Sequence, residues 1–209
     1  MIEQASPVDL SSGALLRRFD PDNRLETFFD LLTEENKRVN LVSRETTRGG
    51  LRQLAAESLA GLELLGQDCI TGYMDIGSGG GFPSLPIMIA AASSVISLEQ
   101  VRLVERTQKR AAALRRIVLK LGLKAEIIPR DFPSRETVGA YQLITLRYTK
   151  LTPSLLGSIL ESLAGTGTFI YYAMPELALA HSGFSAVIQP FTLDEPGPEK
   201  YLTFIRKSR

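Results

Sequence analysis

The sequence predicts an α/β protein: a largely parallel sheet with helices on both faces, a helical segment before it and an antiparallel pair at one edge. Three observations carry this. Short apolar runs at 73–76, 101–104, 125–128, 141–145 and 168–173 alternate with helical stretches, and such alternation builds parallel sheets. A glycine cluster, "GSGGG" at 77–81, follows the first run and precedes a helix, where open parallel sheets bind their ligands. Two last strand runs, 184–189 and 200–206, are separated by the turn-rich "PFTLDEPGPE" with no helix between them, which implies an antiparallel pair.

Taken in order, residues 1–68 read as a helical N-terminal segment without strand-like runs, and 69–209 as the sheet domain. Leu25, Phe28, Phe29 and Leu32 fall at i, i+3, i+4 and i+7, one face of a helix. Leu51, Leu54, Ser58, Leu62 and Leu65 repeat the pattern. Within the second part, Ala111, Leu114, Ile117, Val118 and Leu121 share a face of a helix over 107–121. Another helix opens at "LTPSLL", with Thr152 as N-cap and Pro153 at its first position. Leu155, Leu156, Ile159 and Leu163 form its apolar side.

Composition narrows the classes. The chain has 209 residues, 44% hydrophobic and 22% charged, enough for one ordinary domain with a real core. A net charge of +1 does not announce a nucleic-acid binder, although a balanced total can hide a basic face. The one cysteine, Cys69, excludes a disulfide framework and points to the cytoplasm. No apolar run approaches the ~18 residues of a membrane helix, and "MIEQASPVDL" is not a secretory signal.

The glycine loop is informative through what it lacks. A phosphate-binding P-loop requires Lys-Ser or Lys-Thr after its last glycine; here Phe82-Pro83 follows. A dinucleotide loop requires G-x-G-x-x-G, and the third position counted from Gly77 is Phe82. What is present is Asp75-x-Gly77-x-Gly79-Gly80-Gly81. This resembles the first motif of class I methyltransferases, where an acid and a glycine loop accommodate the methionine end of S-adenosylmethionine. A carboxylate and backbone groups can receive an ammonium and a sulfonium; the alternative is a tight turn with no ligand. Glu105 ends the next strand, thirty positions after Asp75. An acid there accepts both hydroxyls of a ribose in nucleoside-binding sheets, or else caps the helix beginning near Thr107. Asp131 follows the third strand, where related methyltransferases place the adenine, although Asp near Pro is also common turn chemistry.

Three stretches taken together resemble the ribosomal-RNA methyltransferase G family, also called glucose-inhibited division protein B. They are "ENKRVNLVS" (35–43), "DIGSGGGFPSLPI" (75–87) and "LVERTQKRAAALRRI" (103–117). Asn36, Lys37, Asn40, Leu41 and Ser43 match the family's "NKxxNLT". Asp75, Gly77, Gly79, Gly81, Phe82, Pro83 and Pro86 match its glycine loop. Glu105, Lys109, Arg110 and Leu114 match its second-strand motif. The resemblance implies a class I, Rossmann-like sheet of seven strands with an antiparallel last strand. It implies S-adenosylmethionine held by Asp75, Gly77, Gly79, Gly80, Gly81, Phe82, Glu105 and Asp131, and no metal. It further implies methylation at N7 of a guanine in small-subunit ribosomal RNA, naked or in the assembling subunit. Its active-site arginine corresponds to Arg147, one place late on an ungapped reading, which makes Arg147 the catalytic candidate.

The chain departs from that family on the substrate side. "QLAAES" (53–58) stands where the family has "RHxxDS", so Gln53 and Leu54 replace the arginine and histidine while Glu57 and Ser58 remain. "YYAMPE" (171–176) lacks the family's lysine after the fifth strand. Three readings stay open: the same RNA, a small-molecule or protein substrate, or a non-catalytic cofactor-binding or ribosome-associated homologue.

The chemistry tolerates such changes. Guanine N7 has an in-plane lone pair and no proton, so attack on a sulfonium methyl needs orientation rather than a general base. Carbon-5 methylation of pyrimidines needs a cysteine nucleophile, and Cys69 lies before the first strand, where a small buried residue is expected. The Asn/Asp-Pro-Pro-Tyr of exocyclic adenine methylation is absent from "TLRYTK". His181 stands alone and reads as a surface or satisfied residue. Phosphate contacts are expected from Arg44, Arg48 and Arg52, from Arg106, Lys109 and Arg110, and from Arg147 and Lys150. Arg115, Arg116 and Lys120 read as a solvated face. Phe82, Tyr148 or Tyr172 are candidates to stack on an unstacked base.

Overall fold

The computed structural model describes residues 2–176, 183–194 and 197–207. His181 lies outside them. The chain opens with β1 (Ile2–Gln4) and β2 (Val8–Leu10), then three helices: α1 (Ser12–Phe19), α2 (Arg24–Asn36) and α3 (Arg48–Leu65). The alternating part follows as β3 (Cys69–Ile76), α4 (Ser84–Ala92), β4 (Ser97–Val104), α5 (Gln108–Lys120), β5 (Glu126–Ile128), β6 (Tyr141–Leu146), α6 (Pro153–Ser162) and β7 (Leu163–Tyr171). It ends with β8 (Phe184–Leu193) and β9 (Lys200–Lys207).

All strands join one sheet in the order β1-β8-β9-β7-β6-β3-β4-β5, with β2 also paired to β8. The seven strands β3 to β9 are those expected, and β9 runs antiparallel to both β7 and β8. The winding reverses between β3 and β6: the chain steps outward through β4 and β5, then returns to β6 on the other side. A crevice at the carboxyl ends of the strands belongs at that reversal.

The first ten residues differ from the helical expectation. Ile2–Gln4 and Val8–Leu10 pair parallel with β8. Ser12 N–H donates to Asp194 (3.0 Å), and Asp194 N–H donates to the Leu10 carbonyl (3.0 Å). Strands of three residues carry too few side chains for a period to show; their partner, not their own pattern, makes them strands.

The helices match their apolar periods. Leu25, Phe28, Phe29 and Leu32 are buried on α2, and the Asp20 carboxylate caps that helix by accepting from Arg24 N–H (2.7 Å) and Leu25 N–H (2.9 Å). Thr152 caps α6, accepting from Leu155 N–H at 3.2 Å. One core packs α1 to α5 on one sheet face through Tyr73, Leu103 and Leu143. The other packs α6 on the opposite face through Met74, Val104 and Ile144. The alternation of adjacent strand residues between the two cores is the strand period at work. Cys69, expected inside, is exposed at the start of β3; it sits where the strand leaves the surface, before the buried run begins.

Candidate active site

The loop after β3 shows why it is built from glycines. Gly77, Gly79 and Gly81 have φ of +73°, +47° and +88°, the left-handed region that favours glycine. Gly77 N–H and Ser78 N–H both donate to the Val104 carbonyl, at 2.8 and 3.0 Å, which ties the loop to the end of β4. Gly80 is needed for a different reason. A Cβ there would lie 3.0 Å from the Leu41 carbonyl oxygen. The Asn36 side chain holds that 40–43 loop in place, accepting from Leu41 N–H (2.7 Å) and Val42 N–H (3.1 Å). The "ENKRVNLVS" stretch is thus the backing of the glycine loop. A Cβ on Gly81 would lie 2.7 Å from Leu85, so that glycine serves helix packing. Phe82 borders the cleft but is 7% exposed, its ring 5.2 Å from that of Phe28.

The loop forms the floor of a cleft of about 1320 Å³ at the carboxyl ends of the strands. Asn40, Gly77, Gly79, Glu105, Asp131 and Arg147 are among its lining residues. Glu105 is buried, and of the two roles open to it in sequence the structure shows the local one. Its carboxylate accepts from Thr107 N–H (2.8 Å) and from Gly79 N–H (3.0 Å). Each oxygen therefore spends one lone pair and keeps another. Asp131 stands exposed beyond β5, accepting only from its neighbour Phe132 N–H (3.1 Å) among the described residues.

Asp75 is not on the cleft surface; it lies sealed beneath the loop, 1% exposed. Its Oδ1 accepts from the Thr145 hydroxyl at 2.7 Å, and Tyr73 bonds the same hydroxyl at 2.9 Å. Its Oδ2 has no partner among the described residues. Burial pushes its carboxyl up to about 6, against the opposing hydrogen bond from Thr145. The folded protein therefore keeps a proton that the unfolded chain, with an ordinary value of 3.8, releases earlier. The stability this residue contributes is complete below about pH 4 and lost as pH rises through about 6. Asp75→Asn, which cannot ionise, is expected to gain about 2.5 kcal/mol on wild type between pH 4 and pH 7.5. Urea melts of both proteins at the two pH values check this; a constant difference would show that the fold does not raise the Asp75 pKa.

Beyond the glycine loop the cleft turns basic. Arg147, at the end of β6, is 5% exposed. Its guanidinium pairs with the buried Glu57 carboxylate of α3 and donates to the Leu54 carbonyl (3.2 Å). It lies against the rings of Tyr148 and Tyr172, at 4.7 and 5.6 Å. It is therefore neither a surface ion pair nor a free side chain. Arg147 also reaches the Ser58 hydroxyl, at 3.4 Å. Tyr148 itself is 80% exposed, with a left-handed φ of +57° that costs a non-glycine residue energy.

The remaining sequence candidates divide. Arg106 and Arg110 border the cleft. Arg48 and Arg52 do not serve as free cations: they pair with Glu26, and Arg48 also with Asp30, bracing α3 against α2. Arg116 is not on a merely solvated face, because it grips the buried Glu35 with two hydrogen bonds at 2.8 and 2.5 Å. Tyr172 is turned inward, its hydroxyl donating to the Ser58 carbonyl (2.8 Å). One lining residue had no signal in sequence: Lys200, whose ammonium pairs with Glu57 at 2.9 Å. Among the described residues no group of three or more His, Cys, Asp or Glu converges as a metal site. No described helix is long and apolar enough to cross a membrane.

Comparison with known proteins places this geometry. Residues 22–181 match the model of the family described as rRNA small subunit methyltransferase G. The chain is 28% identical to ribosomal RNA small subunit methyltransferase G of Geobacillus kaustophilus, over 96% of this chain and 85% of that protein. It is 33% identical to the protein of the same name from Pelotomaculum thermopropionicum, over 56% of this chain but only half the length of that relative. Among solved structures, precorrin-6y C5,15-methyltransferase of Geobacter metallireducens superposes with a TM-score of 0.56 at 14% identity, covering 80% of this chain and 93% of that one. That likeness shows a class I methyltransferase fold.

Proposed function

Because the chain belongs to the rRNA small subunit methyltransferase G family, we propose that it uses S-adenosylmethionine to methylate N7 of a guanine in small-subunit ribosomal RNA, in the cytoplasm, on naked RNA or an assembling subunit. The observation that carries this is a single cleft at the strand ends that joins the glycine loop, Glu105 and Asp131 to Arg147, Tyr148 and Lys150, with Arg106, Arg110 and Arg130 also on its walls.

The residues present fit the cofactor. Gly77 and Gly79 leave the loop without side chains at the cleft surface, which suits close approach of the methionine end. Asp75, sealed beneath the loop, does not line the cleft, so it would favour the ammonium from behind the loop rather than by direct contact. The spare lone pairs of Glu105 suit two adjacent ribose hydroxyls. Asp131 borders the region assigned to adenine. Gly80, Gly81 and Phe82 act by shaping the loop rather than by contact. When bound, S-adenosylmethionine supplies an electrophilic methyl whose sulfur leaves as a neutral thioether.

The protein's part is then orientation. Arg147 donating to guanine O6 or to phosphate leaves the N7 lone pair free, whereas a donor on N7 would block it. Tyr148 offers an exposed ring on which a flipped base can stack. No proton leaves N7, so the lack of histidine and cysteine among the described lining residues fits the reaction. The substrate end opens to solvent at Tyr148 and Lys150, which favours a polymer over a small enclosed substrate.

The test is transfer of a labelled methyl group from S-adenosylmethionine to small subunits and to naked rRNA, followed by mapping of 7-methylguanosine. Calorimetric titration with the cofactor separates an enzyme from a non-binding homologue. Glu105→Ala is expected to weaken cofactor binding by roughly 1.5–3 kcal/mol, about tenfold or more. Unchanged affinity in a folded Glu105→Ala protein would refute the ribose assignment.

A further inference from the structure

Lys200 is a basic residue of the cleft that neither the glycine loop nor the strand-end motifs announce. The antiparallel course of β9 brings it there. Parallel strands deliver their last residues to the carboxyl edge of the sheet; an antiparallel strand delivers its first. Lys200 opens β9, opposite Phe191 near the end of β8. It stands at the same edge as Arg147, far away in sequence.

The two cations share one acid. Glu57 Oε2 is taken by Arg147 and Oε1 by Lys200 (2.9 Å). Their exposures differ. The Arg147 side chain is 4% exposed and held from behind by the Leu54 carbonyl, while the Lys200 side chain is 27% exposed on the cleft wall. Among the described residues Glu57 is the one acid within ion-pair distance of Lys200. The ammonium has three donors, and Glu57 accounts for one. Asp75 is the further acid whose charge reaches Arg147, and it is sealed under the glycine loop. Lys150, the other cation at this end, is paired with Glu176 on the surface.

Resting on the reaction proposed above, we infer that Lys200 is a substrate-positioning residue that binds a backbone phosphate of the RNA beside the target nucleotide. Glu57 aims its ammonium across the cleft, and Arg147 braces Glu57. A point-charge cation with free donors suits a phosphate, whereas Arg147, with its planar fork already engaged, is less free to move.

The test measures binding of a small-subunit rRNA transcript against salt concentration, for wild type, Lys200→Gln and Lys200→Arg, with cofactor affinity and thermal midpoint as controls. Losing one phosphate contact should reduce the slope of log affinity against log salt by about 0.7–0.9. Lys200→Gln is expected to show that reduction and a KM for RNA raised about five- to tenfold, with kcat and cofactor affinity within about twofold. Lys200→Arg should restore most of the slope. A purely structural role would move the thermal midpoint and leave the slope alone. A Lys200→Gln slope equal to wild type overturns the inference, whether or not methyl is transferred. Wild-type protein that transfers no methyl, with Lys200→Gln still flattening the slope, would sink the proposed reaction and leave this subsite standing.

Discussion

Gly79→Val is expected to abolish S-adenosylmethionine binding, a loss of at least about a hundredfold, while the protein stays folded. The neighbourhood decides both halves of that statement. A Cβ on Gly79 would meet the Gly77 carbonyl at 3.5 Å and Glu105 at 3.9 Å, ordinary contacts. No core atom has to move. The backbone cost is that of a branched residue at φ +47°, about 1–2 kcal/mol. The two methyls of valine then occupy space beside Glu105 that the ligand is proposed to fill. Gly81→Val is the contrast: its Cβ would lie 2.7 Å from Leu85, so it should damage the fold itself. Calorimetric titration and thermal melts of the two variants separate these outcomes. Native affinity in Gly79→Val would reduce the loop to a turn.

Arg147→Ala should be the most damaging change on the substrate side. It removes a buried guanidinium and leaves Glu57 to Lys200 alone. Breaking a buried pair costs roughly 3–5 kcal/mol, so a large fall in thermal midpoint is expected together with at least a tenfold loss of turnover on RNA. Stability and chemistry are separable here. Replacing both partners, in Arg147→Met with Glu57→Leu, removes the buried charges together and should recover most of the lost stability. Methyl transfer should stay low, because apolar side chains cannot orient a base. If the double variant regains turnover as well as stability, Arg147 is a structural residue and the base is oriented by something else.

Strands β3 to β9 were legible because each carries its own apolar run, unlike the three-residue β1 and β2, and the glycine loop because a loop after a strand is a local object. Asp75, the glycines and Glu105 sit at strand ends that a reader can count. What the glycines each do was less legible. Gly79 and Gly81 look alike in the string, yet one faces the cleft and the other faces Leu85. The substrate side was hardest, because its residues come from α3, β6 and β9 and meet only in the fold. Arg147 could be named, but its partner Glu57 stood in another motif. Lys200 had no pattern at all, since the direction of β9 places it. Arg48, Arg52 and Arg116 were misread for a related reason: a surface cation and the partner of a buried or half-buried acid have the same letter, and Glu26 and Glu35 lie on a different helix.

The small strands β1 and β2 have a bearing on how the molecule meets other copies of itself. Strand β8 would otherwise present a long row of open N–H and C=O groups, an invitation to pair with any extended chain. Here Ala186–Ile188 and Phe191–Leu193 are already taken by β1 and β2. The new outer edge is two fragments of three residues interrupted by Ser6 and Pro7, and proline has no N–H to offer. A broken margin is a poor template for ladder growth. The sheet is thereby finished on that side by a seam that discourages continuation, and crowding of newly made copies has one fewer route to aggregation.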